Sequence, residues 1–405
     1  MGTILKILCR KFEPFERLTA EFVEEFKTMC KDFDAEIVSL HLPELHDTII
    51  RGDFDVAHVN TDWVTQGWET GVLENLKPYI DNSPPEDYPD GWDNALLKLQ
   101  TFENGIAGIP FHNGPECLIY RKDLFESEEN KNKYSKKYGK ELKPPQTWDD
   151  FCQIADFFNR PDENLYGTLF ALYPDGHNNI FDYALQVWSR GGDLVDEKGD
   201  LSLNSPTAVS AMEAYRKLIR QPYVHPKSKE LESIGASWTF AAGEVAMMVN
   251  WFGFAAMCET VSESKVKGKV EICPIPCENE QLPPVSLNVY YTWSVCSRSD
   301  KKQMAYDFIK NCVTKANDKK LPLGGAIGCR KSTWYDSDVN ALIPYYSNMG
   351  EIHKYARTLP KKANWHDVSV IIDEMVLKVI DTDESVKAIL DGAQKKLYSR
   401  KMVTA

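Results

Sequence analysis

Ten tryptophans, eighteen tyrosines and eighteen phenylalanines are spread through these 405 residues, many beside hydroxyl, amide or carboxylate side chains. Planar rings stack on the C–H faces of a sugar ring, and polar groups take its hydroxyls. Burial of the rings gives affinity, and the hydrogen bonds give discrimination. Asp62 and Trp63 follow the strand-like segment Phe54 to Val59 after Asn60-Thr61, Asn178 and Asn179 follow Tyr173-Pro174-Asp175-Gly176, and Trp251 ends an apolar run. Plainer readings stand beside these. Asp62 also reads as a helix cap, Trp63 and Trp334 also read as core, and Trp148, Trp188 and Trp238 sit in helical patterns as structural residues. Arg10, Glu13, Asn288, Arg330 and Arg357 are ligand contacts or members of surface and structural ion pairs. An arginine facing the ligand at position 10 or 357 would favour an acidic sugar, because guanidinium pairs bidentately with carboxylate, sulfonate or phosphate.

Metal and thiol chemistry have less support. The ten cysteines show no paired spacing; Cys273-Pro-Ile-Pro-Cys277 has neither a second pair nor a nearby histidine to complete a zinc site. Buried free thiols are expected, with no metal and no cofactor.

The elements that must position these residues alternate in the first half. Ile4 to Leu8, Ala35 to Leu40 and Phe54 to Val59 read as strands. Phe15 to Lys31 reads as an amphipathic helix with Leu18, Phe22, Phe26 and Met29 on one face, and Glu44 to Arg51 as a short helix closed by Gly52. Such alternation predicts a largely parallel sheet flanked by helices, with ligands at the carboxyl ends of strands. Past Pro144-Pro145 the pattern turns helical, with caps at Thr147 and Ser205. Strands return at Val266 to Cys273 and Val289 to Cys296, a helix at Lys301 to Cys312, and two helices close the chain around Asp381-Thr382-Asp383. The charged run Glu126 to Lys143 reads as a solvated insertion. The net charge of -13 argues against a nucleic-acid partner, which would call for surplus Lys and Arg. No stretch approaches the roughly 18 to 20 apolar residues of a membrane helix.

These segments, in order, resemble the family 1 extracellular solute-binding proteins, the maltose-binding-like receptors of ABC importers. The resemblance is carried by Phe54-Asp55-Val56, by Gly108-Ile109-Pro110-Phe111, by Leu118 through Phe125, and by Pro145 through Phe151. It continues through Gly191-Gly192-Asp193-Leu194, Phe240 to Trp251, and Gly325 to Ser332. It implies a periplasmic-binding-protein-like type II fold of two α/β lobes joined by a hinge with multiple chain crossovers. Lobe one would take residues 1–113 plus 272–312, and lobe two residues 114–271 plus 313–405. It also implies closure on a ligand held between the lobes and delivery to a membrane permease.

By that resemblance Trp251 stacks on the ligand, Trp365 offers a second platform, Asp62 is an acidic contact, and His112 and Asn113 line the ligand cleft. Many relatives carry a Gly-Gly pair where this chain has Asn288-Val289-Tyr290-Tyr291, and the bulk of these aromatics argues for a mono- or disaccharide, with an acidic sugar as a variant. A monomer outside the cytoplasm, periplasmic or extracellular and membrane-associated, is the expectation, although the printed start lacks a secretion leader. A thiaminase-type enzyme resembles the same fold and would use Cys117 as nucleophile, while Tyr290-Tyr291 or Tyr345-Tyr346 would serve a ferric-ion binder, and an acidic aromatic box a polyamine binder. The sequence favours the carbohydrate receptor without catalysis.

Overall fold

The structure, a computed structural model, describes residues 3–401, the side chains of 400 and 401 excepted. Its strands are β1 (Thr3–Arg10), β2 (Phe33–Leu40), β3 (Val56–Asn60), β4 (Ile109–His112), β5 (Glu116–Arg121), β6 (Tyr166–Leu169), β7 (Val245–Trp251), β8 (Val270–Cys273) and β9 (Tyr291–Val295), apart from two pairs of two-residue strands and isolated bridges. The chain divides into two compact units. Unit 1 comprises residues 1–114, 288–353 and 361–365; unit 2 comprises 115–287, 354–360 and 366–405.

Unit 1 is built on a five-stranded sheet in the order β2-β1-β3-β9-β4. β1 runs parallel to β2 and β3, whereas β9 runs antiparallel to both β3 and β4, so the sheet is mixed where the sequence pattern predicts a largely parallel one. Helix α1 (Glu13–Met29) packs on it because Phe15, Leu18, Phe22 and Phe26 recur at helical spacing and are all buried. Each such side chain contributes roughly 1.5–3 kcal/mol on burial. Pro14 near the first turn fixes its entry, and Glu13 and Glu16 suit the positive end of the helix dipole. Helix α2 (Leu42–Arg51) stops at Gly52, whose φ of 74° is left-handed backbone that glycine adopts without strain. Helix α3 (Thr61–Glu69) follows β3 directly.

Asp55, just before β3, ties the later part of the chain into this unit. Its carboxylate accepts from the Lys6 backbone N–H at 2.8 Å, the Ser299 hydroxyl at 2.6 Å and the Lys301 ammonium at 3.1 Å. Residues 313–353, which the sequence reading gives to lobe two, lie in unit 1. Their polar ties explain it: Asn317 and Lys320 bond the Glu25 carboxylate of α1, and the Ile327 backbone N–H donates to His112 Nδ1. Residues 272–287, read as lobe one, lie in unit 2 because β8 completes its ladder against β5.

Unit 2 carries a four-stranded sheet in the order β8-β5-β7-β6. Helix α4 (Trp148–Phe158) begins where Thr147 Oγ1 accepts from the Asp150 N–H at 3.1 Å, as its sequence predicts. Helix α5 (Asn178–Trp188) is buried on every side. Helix α6 (Pro206–Ile219) is capped by Ser205, and α7 (Phe252–Thr260) follows β7 without a break. Helices α8 (Trp365–Asp381, entered from unit 1) and α9 (Val386–Lys401) end the described chain. Of the tryptophans read as structural, Trp148 and Trp188 are buried, but Trp238 is 42% exposed. The charged run forms a helix, Glu128–Tyr138, whose Lys131–Glu128 and Lys133–Glu129 pairs face water while Tyr134 is buried.

Candidate functional site

In unit 1 the candidate residues gather at the carboxyl ends of β3 and β4. Asn60 ends β3, and its side-chain oxygen accepts from the Asp62 backbone N–H at 3.0 Å. Asn60 is therefore the cap of α3, and the Asp62 carboxylate stands in the first helical turn, where the helix dipole favours a negative charge. His112 ends β4 half-buried, ring edge to Phe15 at 4.7 Å. Burial, and then the Arg10 charge, pull its pKa down to about 3, so the ring is neutral at pH 7. Because Nδ1 accepts from Ile327 N–H at 3.1 Å, the proton sits on Nε2. Asn113 is fully buried; its amide donates to His353 Nε2 at 2.9 Å and its oxygen accepts from the Gly114 N–H.

Several expected contacts are occupied with holding unit 1 together. Trp63 lies in the hydrophobic core, edge to His46 at 5.3 Å. The buried Tyr290 hydroxyl donates to Gln100 Oε1 at 2.6 Å and accepts from the Leu99 N–H at 3.2 Å. Tyr291 is buried too, and the argument for a small ligand from their bulk lapses. Asn288 is wholly buried and donates weakly to Ala95 O at 3.3 Å; its Oδ1 has no partner. Arg330 is fully enclosed: its guanidinium lies 4.4 Å from the Trp92 ring centroid and donates to Val313 O at 2.8 Å and Glu86 O at 2.7 Å. Trp334 stacks on His353, and Trp365 is buried at the start of α8. Arg10 donates to the Tyr291 hydroxyl at 3.0 Å.

In unit 2 a second group forms where β5 begins and β7 ends. Trp251 closes β7 half-buried, its ring edge meeting Phe181 at 5.2 Å. Asn178 donates to Asp175 Oδ2 at 2.8 Å, and Asn179 to Asp373 Oδ1 at 2.8 Å; the Asn179 oxygen is buried without a partner. Arg357 pairs with Asp193 at 2.6 Å and lies over Trp188 at 4.7 Å. The structure thus brings Asn178, Asn179 and Trp251 to one end of unit 2 and holds Arg357 in an ion pair.

Sequence reasoning missed Glu116 and Asp182. Glu116 pairs with Trp251 across the β5–β7 ladder and is 5% exposed. Asp182 follows Phe181 on α5 and accepts from the Tyr215 hydroxyl at 2.5 Å. Burial lifts the Asp182 carboxyl to about 7; burial and then the Asp182 charge push Glu116 well above the usual carboxylate range. A signal existed: one acid opening the apolar run Cys117 to Tyr120, and one inside a helix apolar all round. Cys117 itself is buried, its thiol pushed far up by burial, with the Asn250 carbonyl at 3.8 Å as partner. Among the described residues no group of three His, Cys, Asp or Glu could hold a metal.

The same architecture recurs in solved structures. An ABC transporter solute-binding protein from Agrobacterium radiobacter K84 in complex with ribitol superposes with a TM-score of 0.85 at 22% identity, covering 98% of each chain. The maltose-bound MalE3 of T. maritima gives 0.83 at 20% identity, covering 98% of this chain and 99% of its own. Among curated sequences, the lactose-binding protein of Rhizobium radiobacter is 24% identical over 243 residues, 59% of this chain and 53% of that protein. The chain spans about half the length of the curated relatives it matches. The profile of the bacterial extracellular solute-binding proteins matches residues 12–319, more than half of the sequence. With its two α/β units and that match, the chain belongs to the bacterial extracellular solute-binding protein family.

Proposed function

We propose that this chain is a receptor that captures a neutral sugar or polyol through contacts alone and hands it to the permease of an ABC transporter. The family match over residues 12–319 carries the reading. Relatives named for lactose, ribitol and maltose support the ligand class. In unit 2, Trp251 beside buried acceptor groups supplies what a polyhydroxylated molecule needs, a ring for its C–H face and oxygens for its hydroxyls. The arginines speak for a neutral ligand over an acidic one: Arg330 is buried against Trp92, Arg357 pairs with Asp193, and Arg10 donates to Tyr291. Asp62 and His112 are the proposed contacts of unit 1, the amide of Asn113 being engaged by His353 and Gly114; Asn178, Asn179 and Trp251 are those of unit 2.

The receptor acts outside the cytoplasm as a monomer and leaves its ligand unchanged. A cysteine nucleophile needs a thiolate, and the buried Cys117 thiol resists forming one. Tyr290 and Tyr346 hydroxyls, the oxygens a ferric ion would need, are bonded to Gln100 and to the Gly328 N–H. A thermal-shift screen against monosaccharides, disaccharides, polyols, acidic sugars and spermidine tests the reading. A ligand at 100 times its Kd stabilises the fold by about 2.7 kcal/mol. A shift from a sugar or polyol that mass spectrometry recovers intact is the expected result. Silence to every sugar and polyol, with a shift from spermidine, refutes it.

A further inference from the structure

Glu116 is a costly residue where it stands. Its side chain is 5% exposed, and Oε2 is buried without a hydrogen-bond partner. An unpaired buried polar atom is destabilising, so one that persists calls for an explanation. Among the described residues, the neighbours that act on Glu116 supply no cation. Across the ladder stands Trp251, whose backbone N–H is taken by Asn250 Oδ1. From α5 comes Asp182, the charge that weighs on Glu116 most after burial, and from α6 comes Tyr215, donating to Asp182. The Ser286 hydroxyl is spent on the Glu116 backbone carbonyl at 2.6 Å. One turn before Asp182 on α5, Asn179 holds a second buried oxygen with no partner.

We propose that Glu116, with Asp182 beside it, is a hydroxyl-binding subsite next to Trp251 that selects neutral polyhydroxylated ligands and rejects anionic ones. This rests on the receptor reading and deepens it. Among the unpartnered buried acceptors of unit 2, Glu116 Oε2 stands across the ladder from Trp251 and Asn179 Oδ1 lies one turn from Asp182; a hydroxyl both donates and accepts, so it pairs with a carboxyl in either protonation state. An anionic group arriving there would be buried with no cation among the neighbouring described residues to offset its desolvation. A site built to hydrogen-bond a hydroxyl rejects the analogue lacking it far more strongly than an apolar pocket does.

The test is calorimetric titration of the full chain with maltose, lactose, ribitol and D-mannitol, then with monodeoxy and uronic-acid analogues of whichever binds best. Glu116→Met and Glu116→Gln follow with the same ligands, each checked for its unfolding midpoint. The expected result is an affinity loss of 10-fold or more for Glu116→Met with a midpoint equal to or above that of the unaltered chain. A smaller loss is expected for Glu116→Gln. One deoxy analogue should bind weakly to the unaltered chain yet lose little more against Glu116→Met. The uronic acid should bind at least 10-fold more weakly than its neutral parent. Unchanged affinity in Glu116→Met, or a lowered midpoint with no deoxy analogue discriminated, overturns the subsite while leaving the receptor reading intact. No binding of any of the four neutral probes overturns the receptor reading, and the subsite with it.

Discussion

Replacing Arg330 with methionine separates two roles that the sequence leaves open, ligand contact and internal strut. The guanidinium makes two bonds to buried carbonyls, Val313 O at 2.8 Å and Glu86 O at 2.7 Å, and lies 4.4 Å from the Trp92 ring centroid. Charge-assisted bonds contribute roughly 1.5–3 kcal/mol each, and a desolvated cation–π contact about 2 kcal/mol. Against that gross figure of roughly 5–8 kcal/mol stands the desolvation of the ion, several kcal/mol, which methionine does not incur. Methionine leaves both carbonyls unpaired, at about 1–3 kcal/mol each, so a net loss of about 2–5 kcal/mol is expected. That is a large part of the roughly 5–15 kcal/mol that holds a typical domain folded. Urea unfolding followed by tryptophan fluorescence, in the presence and absence of a saturating sugar, measures it. The midpoint should fall sharply while the added stability from ligand stays the same. A variant within about 0.5 kcal/mol of the unaltered chain that no longer gains from ligand would refute the reasoning and make Arg330 a contact.

Gly167→Ala should cost about 3 kcal/mol, since its Cβ would lie 2.0 Å from the Ala155 backbone oxygen of α4, which a helix cannot yield; expression and unfolding midpoint check this. Asp182, lifted by burial to about 7, binds more protons folded than unfolded between its ordinary carboxylate range and 7. Its contribution is therefore fully present below about pH 4 and lost as pH rises through 7, by up to about 4 kcal/mol. Asp182→Asn should flatten the fall in urea midpoint between pH 5 and pH 8; an unchanged slope refutes the assignment. Trp251→Ala should weaken sugar binding by about 2–3 kcal/mol in calorimetry while shifting stability little, because the ring is only half-buried. Equal affinity would remove it from the site.

Much of the fold was legible because periodicity records burial. Helix α1 runs Glu13–Met29 where spacing predicts 15 to 31, α2 ends at Gly52, and Thr147 and Ser205 cap the helices they precede. Local rules of this kind need only neighbours in the chain. Side-chain roles were less legible, since an arginine or tyrosine has the same local pattern whether it meets a ligand or a buried carbonyl. Arg330 and Tyr290 read as contacts and are interior bonds, made to Val313 and Glu86 and to Leu99 and Gln100. Tyr290 and Gln100 stand 190 positions apart, a separation that no local pattern encodes.

The sequence by itself determined the α/β class, the approximate place of the helices and the family, because these follow from hydrophobic period, caps and ordered motifs. Only the tertiary structure decided the rest. It sent residues 313–353 to unit 1 through their bonds to α1 and His112, and it set β9 against its neighbours. It also put Glu116, Asp182 and Trp251 at one end of unit 2. Strand pairing and burial are long-range, and they fix which polar groups are satisfied within the fold and which still need a donor.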